Sequence, residues 1–323
     1  MKSNETLLSE VESYISQITL PQEPNRLYAP ITYTLEGGGK RLRPMLTMLA
    51  CGIFSDDTSH AMPAAAAIEV FHNFTLLHDD IMDNAPIRRK KATVHAAWGQ
   101  NVAILSGDVM VVLAYRLLGE VPPKYLPAVL EVFNKFATEV CEGQQYDMDF
   151  EGVESVAIED YMRMIELKTS VLLGGATVIG SILGGATPEQ CAKLERFSTE
   201  LGLAFQLQDD YLDSYGDEEL GKNIGGDILE GKKTFLMITA LSCADDVMRH
   251  ALKTIYKDAA MSDAEKIAAV KSIYNQLDIP RLTQEAIGEK FEMALSILNS
   301  LDVEEERKTA IRKFAEGLVN RKK

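Results

Sequence analysis

The sequence predicts an all-α protein, and two observations support this prediction. Apolar residues recur at helical spacing along almost the whole chain, whereas the strict alternation of a half-buried strand is scarce. Proline and glycine interrupt this pattern only at a few places, such as Pro122-Pro123 and Gly37 to Gly39. The segments between these interruptions are long enough for about ten to twelve helices.

Two of the predicted helices combine an apolar stripe with a group of aspartates. Their apolar residues are Ile68, Phe71, Phe74 and Met82 in the first, and Leu194, Phe197, Leu201, Ala204, Phe205 and Leu212 in the second. Residues three and four positions apart share a face of a helix, so each stripe predicts a buried face. The aspartates therefore occur in segments that are expected to be partly buried.

Residues 171–186, VLLGGATVIGSILGGA, form the most membrane-like stretch of the chain. The stretch is shorter than the ~20 residues that a membrane span requires, and several glycines interrupt it. We therefore predict a buried helix that packs closely against a neighbour, and no integral membrane span.

No linker-like composition divides the chain, so we predict a single domain over residues 1–323. The segment from Leu236 onward is predicted to form amphipathic helices that complete this domain.

Charge and cysteine content limit the partners and the compartment. The chain has 33 basic and 48 acidic residues and a net charge of −15, whereas a protein that binds a nucleic-acid backbone needs a basic face. The same charge disfavours binding to an anionic membrane surface. The four cysteines are far apart and form no CxxC pair, as in reduced cytosolic proteins. We expect a cytoplasmic protein with no nucleic-acid partner.

The two acidic groups, Asp79-Asp80-Asp83 and Asp209-Asp210-Asp213, share one pattern: two adjacent aspartates and a third that lies four positions after the first. Like charges at this spacing weaken a helix, and apolar surroundings increase that cost. A divalent cation offsets the repulsion. Mg²⁺ suits such a site because it binds one or two carboxylates while substrate phosphates supply further oxygens. The repeated pattern favours a site for metal and phosphate over a solvated acidic face.

Local groups of cations stand out in this acidic chain. A glycine turn at residues 37–39 leads directly into Lys40 and Arg43, an arrangement that suits a phosphate. His72 lies two helical turns before Asp79 on the same face and is a candidate phosphate donor. The other candidate groups are Arg88 with Arg89, Lys168 with Thr169, Lys222, and Lys232 with Lys233. Surface solubility explains each group better when it is taken singly, but their pairing with the acidic groups favours a phosphate site.

An ordered series of motifs resembles the trans-polyprenyl diphosphate synthase family, which includes farnesyl and geranylgeranyl diphosphate synthases. The motifs are GGKRLRP (38–44), His72 ahead of LLHDDIMD (76–83), Arg88-Arg89, Gly143-Gln144 with Asp147, Lys168-Thr169, FQLQDD (205–210) with Asp213, and Gly221-Lys222 leading to Gly231-Lys232. The resemblance implies an all-α isoprenoid-synthase bundle around a central cavity, and a homodimer. It also implies that the two acidic groups face each other across that cavity.

The activity that the resemblance implies is the head-to-tail condensation of isopentenyl diphosphate with an allylic diphosphate (dimethylallyl, geranyl or farnesyl), with release of diphosphate. Three Mg²⁺ ions would be bound by Asp79, Asp83 and Asp209, with Asp80 and Asp213 as supports. By the same resemblance, isopentenyl diphosphate would be held by Lys40, Arg43, His72 and Arg89. The allylic diphosphate would be held by Arg88, Lys168, Thr169, Gln206, Lys222 and Lys232, of which Lys168, Thr169 and Gln206 would also steady the allylic cation.

Product length depends on Phe74 in this interpretation. It lies five residues before Asp79, about 7.5 Å along the helix axis. The resemblance implies that a bulky aromatic residue at this position closes the floor of the product pocket. The pattern is similar to that of geranylgeranyl synthases, so geranylgeranyl diphosphate is the expected product and farnesyl diphosphate is the second candidate. Plain core packing is the alternative role. The chain departs from the family at Lys90-Lys91-Ala92, where Gly-Lys-Pro is common, so the shape of this loop stays open.

Other functions remain possible from the sequence. A class I terpene cyclase shares the fold type, but it would not need the second-substrate residues Lys40, Arg43, His72 and Arg89. A non-catalytic partner subunit of a prenyl synthase usually lacks one acidic motif, and both are present here. A helical bundle without any substrate is the last alternative.

Overall fold

The computed structural model describes residues 3–216 and 224–319, and the regular structure of these residues is almost entirely helical. The helices are α1 (Asn4–Ser16), α2 (Asn25–Leu35), α3 (Leu42–Phe54), α4 (Met62–Met82), α5 (Val94–Trp98), α6 (Gln100–Leu118), α7 (Leu126–Glu151), α8 (Ile158–Ile165), α9 (Val171–Gly184), α10 (Pro188–Tyr215), α11 (Gly226–Glu230), α12 (Phe235–Cys243), α13 (Asp246–Lys257), α14 (Asp263–Gln276), α15 (Ile279–Asn299) and α16 (Glu305–Val319). Within the described residues the only sheet is a short antiparallel hairpin, β1 (Ile87–Arg88) with β2 (Lys91–Ala92).

The predicted all-α class is confirmed, but the expected number of helices is too low. Two of the additional helices, α5 and α11, have five residues each, too few to show a helical period. In addition, α8 and α9 belong to one apolar segment that a π-helical turn, Glu166–Ser170, divides. A single-turn insertion of this kind leaves no signal in the apolar pattern.

Polar side chains fix several helix starts. The side chain of Ser3 accepts a hydrogen bond from the backbone N–H of Thr6 at the start of α1. Ser262 and Glu265 form a reciprocal capping box at the start of α14. Such caps satisfy N–H groups that have no partner within the helix, so these sequence positions determine where the helices begin.

The chain divides into two compact units. The first comprises residues 1–134, 175–194 and 302–311, and the second comprises residues 135–174, 195–301 and 312–323. The single domain over residues 1–323 stays a prediction.

In the first unit, α4 packs against both α3 and α6. Every residue of α3 from Leu42 to Ile53 is buried except Arg43. Gly180 of α9 lies so close to α3 that an added Cβ would stand 2.0 Å from the carbonyl oxygen of Thr47, and Gly184 makes a similar approach to Cys51. The predicted close packing of this apolar helix is therefore confirmed.

The second unit contains two clusters of buried apolar side chains. One includes Leu236, Leu252 and Tyr274 from the helices after residue 230. The other joins Tyr161 and Met164 of α8 to Leu207 of α10 and to residues of α12 and α15. This second cluster places the π-helical turn close to the acidic group on α10.

Two helices in the described residues are long and apolar enough to cross a membrane by length and composition alone. They are Gln100–Leu118, in which 44% of the most apolar window is buried, and Ile158–Gly184, in which 72% is buried. Buried core helices of water-soluble proteins meet the same two criteria, so this feature is weak support for a membrane span.

Candidate active site

The first acidic group lies at the carboxyl end of α4. Asp79 and Asp80 belong to the last turn of the helix, and Asp83 is its C-cap. Asp80 is buried, Asp79 is half-buried and Asp83 is exposed. Burial raises the pKa of Asp80, although the nearby Arg88 partly offsets this effect. The carboxylates thus differ in their access to a ligand.

Arg88 connects the β-hairpin to this acidic group. Its Nε donates to Oδ1 of Asp80 at 2.6 Å, and its Nη2 lies 3.3 Å from Oδ2 of Asp79. The hairpin turn contains Arg89 and Lys90, both with positive φ, at 50° and 63°. Two-residue hairpin turns commonly require positive φ at both central positions. The loop whose shape the sequence left open is therefore a tight hairpin that directs Arg88 to the aspartates.

A basic pocket forms where α3 begins beside α4. Nη1 of Arg43 donates to Nε2 of His72 at 3.1 Å. Burial, together with the positive charges of the neighbouring arginines, lowers the pKa of His72 well below its usual value. His72 is therefore neutral, with Nε2 as acceptor and Nδ1 as donor. Burial lowers the pKa of Arg43 to about 10, so its guanidinium stays charged at neutral pH.

A buried ion pair supports the loop before this pocket. Nη1 of Arg41 lies 2.7 Å from Oε1 of Glu69, and Nη2 donates to the carbonyl oxygen of Leu35 at the end of α2. Asn73 donates to the same carboxylate at 3.2 Å. Arg41 itself has a left-handed backbone, with φ of 48°. These contacts hold the backbone between Lys40 and Arg43.

The glycine turn contacts the second arginine of the hairpin. Nη1 of Arg89 donates to the carbonyl oxygen of Gly38, and an added Cβ at Gly39 would stand 3.0 Å from the guanidinium. The predicted isopentenyl-diphosphate residues Lys40, Arg43, His72 and Arg89 thus all lie in the first unit, on a glycine turn, two helices and a hairpin that contact one another.

In the second unit, Lys168 and Thr169 lie in the π-helical turn Glu166–Ser170. Nζ of Lys168 donates to Oδ2 of Asp147 on α7 at 2.5 Å. Gly143, one helical turn before Asp147, permits this approach because its Cβ would stand 2.3 Å from the backbone nitrogen of Lys168. Turns of this type often occur at functional sites, since they redirect side chains within a helix.

The same turn is linked to the second acidic group by a chain of hydrogen bonds. Thr169 donates to Oε1 of Gln206 at 2.9 Å, and Nε2 of Gln206 donates to Oδ1 of Asp210 at 3.0 Å. The hydroxyl of Tyr161 donates to the other oxygen of Asp210. Burial raises the pKa of Asp210 to about 6, and these hydrogen bonds oppose the increase.

Asp213 and Asp227 lie together beside this group. The backbone N–H of Asp227 donates to Oδ2 of Asp213 at 2.9 Å. Burial, with the nearby charges of Asp210 and Asp213, raises the pKa of Asp227 to about 8. Lys232 stands 3.8 Å from Asp227 and 2.9 Å from Glu230. The predicted residue Lys222 lies outside the described residues.

Three supporting residues were missed by the sequence analysis. Glu69 carried a signal, because it is the one acidic residue in the apolar run Ala64 to Phe71. Tyr161 and Asp227 carried no comparable signal, since their roles depend on contacts with residues distant in the sequence. Among the described residues, no group of three or more His, Cys, Asp or Glu side chains is arranged to hold a metal ion unaided.

Comparisons with known proteins give a consistent result. Residues 24–277 match the model of the family described as polyprenyl synthetase. The chain is 42% identical over 235 residues to a geranylgeranyl diphosphate synthase of Methanosarcina mazei, a match that covers 72% of each chain. It is 38% identical over 273 residues to a short chain isoprenyl diphosphate synthase of Methanocaldococcus jannaschii, covering 84% of this chain and 83% of the other.

Solved structures agree with this match. A crystal structure of a geranylgeranyl pyrophosphate synthase superposes with a TM-score of 0.95 at 40% identity, over 100% of both chains. The family and the fold that the motifs predicted are therefore confirmed. The chain belongs to the polyprenyl synthetase family of prenyltransferases.

Proposed function

We propose that this protein condenses isopentenyl diphosphate with an allylic diphosphate in a Mg²⁺-dependent head-to-tail (1′-4) reaction that releases diphosphate. One observation in the first unit supports this proposal most directly. Helix α4 carries His72 of the basic pocket and, seven residues later, Asp79 of the acidic group. This separation is about 10 Å along the helix axis. One diphosphate can therefore bind at the basic pocket while the metal-bound diphosphate of the other substrate binds at the acidic group.

The basic pocket would hold isopentenyl diphosphate. Arg43 and Arg89 supply guanidinium groups that suit bidentate binding of phosphate oxygens. Neutral His72 accepts from Arg43 and so keeps its Nδ1–H for a phosphate oxygen. Lys40 is exposed beside the glycine turn, where its charge would add to the attraction.

The acidic residues fit a magnesium site by their chemistry. All are carboxylates, which Mg²⁺ prefers, and Mg²⁺ is seldom held by protein groups alone because substrate phosphates complete its ligands. Asp79, Asp83, Asp209 and Asp213 are more accessible than Asp80 and Asp210, which are buried. We assign the first three as ligands of three ions, with Asp80 and Asp213 as supports. Bound Mg²⁺ would supply Lewis-acid stabilisation of the leaving diphosphate.

The remaining residues would act on the allylic substrate. The residues that would hold its diphosphate are Arg88, Lys168, Thr169, Gln206, Lys222 and Lys232. Of these, Lys168, Thr169 and Gln206 would also steady the developing cation through their dipoles. The C–O bond breaks and its electron pair leaves with the diphosphate. The double bond of isopentenyl diphosphate then forms the new C–C bond, and a proton passes to the released diphosphate. This sequence requires no protein base.

We propose geranylgeranyl diphosphate as the main product. The half-buried Phe74 stands five residues before Asp79 and contacts Phe71, whose side chain is only 3% exposed. An aromatic ring at this depth would stop a growing chain, and the relatives named above include geranylgeranyl synthases. Farnesyl diphosphate is the second candidate, because the resemblance to the family implies it next.

We also propose a cytoplasmic homodimer. Helix α6 exposes Leu105, Val112 and Tyr115 at 57%, 68% and 42%, and these residues lie at spacings of seven and three on one side of the helix. Exposed apolar surface of this kind commonly marks an interface, and a second copy of the chain is the partner that the family resemblance implies.

The cytoplasmic location is supported by the cysteines. All four are free thiols, in keeping with a reducing compartment.

The decisive experiment incubates labelled isopentenyl diphosphate with dimethylallyl, geranyl or farnesyl diphosphate, with and without a chelator, and sizes the hydrolysed products. We expect elongated products that end mainly at twenty carbons and disappear with the chelator. Release of a hydrocarbon from the allylic substrate alone would instead identify a terpene cyclase. Binding without turnover would identify a non-catalytic partner subunit.

A further inference from the structure

His78 has no role in the proposed chemistry, although it directly precedes Asp79 on α4. Its Nε2 lies 3.2 Å from the carbonyl oxygen of Ile104 on α6. Because a carbonyl oxygen only accepts, Nε2 carries the hydrogen in this contact. The other side of the imidazole meets Phe74 nearly edge-on, with ring centroids 4.7 Å apart and planes inclined at 65°. The side chain thus joins the backbone of α6 to the ring of Phe74.

Gly107 of α6 makes room for this imidazole. An added Cβ would stand 2.2 Å from Nε2 and 2.6 Å from Cδ2 of His78, far inside any normal contact. Glycine is less favourable in a helix interior than every residue except proline, so a glycine here is unfavourable for the helix itself. The close approach of His78 accounts for it.

Phe74 is held between two neighbours of different kinds. On one side Phe71 packs against it at 5.4 Å, and Phe71 is itself fixed by an edge-on contact with Phe133 at 5.2 Å. On the other side stands His78. Residues 71, 74 and 78 follow the spacing of one helix face. The orientation of the Phe74 ring therefore depends on where the imidazole lies.

We infer that His78, seated against Gly107, is a positioning residue for Phe74 and thereby a determinant of product length. The inference rests on the proposed function, in which Phe74 closes the floor of the product pocket. With the imidazole in place, the Phe74 ring has a neighbour on each side and stays across the path of the chain. Without it, the ring has free space on one side and can rotate away, so the chain can grow further.

The test compares product sizes for His78→Ala, Gly107→Ala and the double variant, each with the same primer. We expect both single variants to raise the ratio of longer to principal product about fivefold, which corresponds to about 1 kcal/mol, the order of an aromatic contact. The double variant should match His78→Ala alone, because the three atoms nearest to the added methyl group all belong to the imidazole. Gly317→Ala is the matched control, since no atom lies within 4 Å of its added Cβ.

Several results would overturn the inference. Product sizes unchanged in His78→Ala, with Phe74→Ala lengthening the product, would remove His78 as a determinant while leaving the proposed function intact. An undiminished effect of Gly107→Ala in the His78→Ala background would show that the glycine acts elsewhere. Should Gly107→Ala fail to fold, the product sizes of His78→Ala decide alone. Absence of condensation in the unmodified protein would instead refute the proposed function.

Discussion

The guanidinium of Arg41 lies 2.7 Å from the carboxylate of Glu69, and the two side chains are only 5% and 3% exposed. This pair ties the loop before α3 to the middle of α4. Glu69 is also the nearby negative charge that raises the pKa of Arg43 against the effect of burial. One buried carboxylate therefore serves both as a structural partner and as a counter-charge for the basic pocket.

Removing either member of this pair should destabilise the protein strongly. We expect Glu69→Ala or Arg41→Ala to lower the free energy of unfolding by about 3–5 kcal/mol, because each leaves an uncompensated buried charge. The double variant Arg41→Met/Glu69→Leu should recover only part of the loss, because it leaves neither member of the pair unpaired but still removes the acceptor of Asn73 and the counter-charge of Arg43. Urea unfolding measures each value, with Glu285→Ala, which breaks the exposed pair with Arg281, as the control whose loss should be far smaller. Equal losses for the exposed and buried pairs would contradict this account.

Replacing Lys90 with glycine should stabilise the hairpin. Lys90 adopts a φ of 63°, a left-handed conformation that costs a non-glycine residue roughly 1–2 kcal/mol. After allowance for the greater flexibility of glycine, we expect Lys90→Gly to raise the free energy of unfolding by about 0.5–1 kcal/mol. Thermal or urea unfolding measures the change, and Lys124→Gly, outside the hairpin, is a comparison that should give no gain. A loss of stability in Lys90→Gly would show that the turn is unstrained.

Local patterns predicted much of the fold and of the site. The helical period of residues 62–83 and the spacing of Asp79, Asp80 and Asp83 involve only near neighbours, and the structure places all three at the end of α4. Tyr161 reaches Asp210 across 49 positions, and no spacing rule identifies such a pair. The close contact of His78 with Gly107 likewise depends on the distance between α4 and α6, which the sequence does not show.

Protonation of His72 should destabilise the protein at low pH. Its pKa in the folded protein is well below the ordinary value of 6.5, so below that pH the unfolded chain binds one more proton than the folded one. The stability contributed by neutral His72 is present above pH 6.5 and is lost as the pH falls toward the folded pKa. We expect a decline of about 1.4 kcal/mol per pH unit from this residue.

Unfolding measurements on the wild type and on His72→Asn, without substrate or metal, isolate this contribution. Subtracting the two curves removes the effects of the aspartates, whose raised pKa values act in the opposite direction. The free energy of unfolding of the wild type minus that of His72→Asn should decrease as the pH is lowered below 6.5. A constant difference between the two proteins over this range would show that His72 does not titrate as described.

Shortening Phe74 should lengthen the product. We expect Phe74→Ala to yield products at least one isoprene unit longer, because the ring no longer blocks the space along α4. Chromatography of the hydrolysed products measures their length. Phe291→Ala, which truncates a half-buried phenylalanine on α15, should leave the product size unchanged. The same product distribution in Phe74→Ala and the wild type would identify Phe74 as core packing only.

The most direct test of the central claim is the rate of condensation in Asp79→Ala and Asp209→Ala at saturating Mg²⁺. Circular dichroism should show that both variants keep the helical fold, and Asp246→Ala, which truncates a fully exposed aspartate, should retain the wild-type rate. If both acidic groups bind the metal that condensation requires, each variant loses at least about 100- to 1,000-fold in rate. Folded variants that turn over at rates close to that of the wild type would contradict the account.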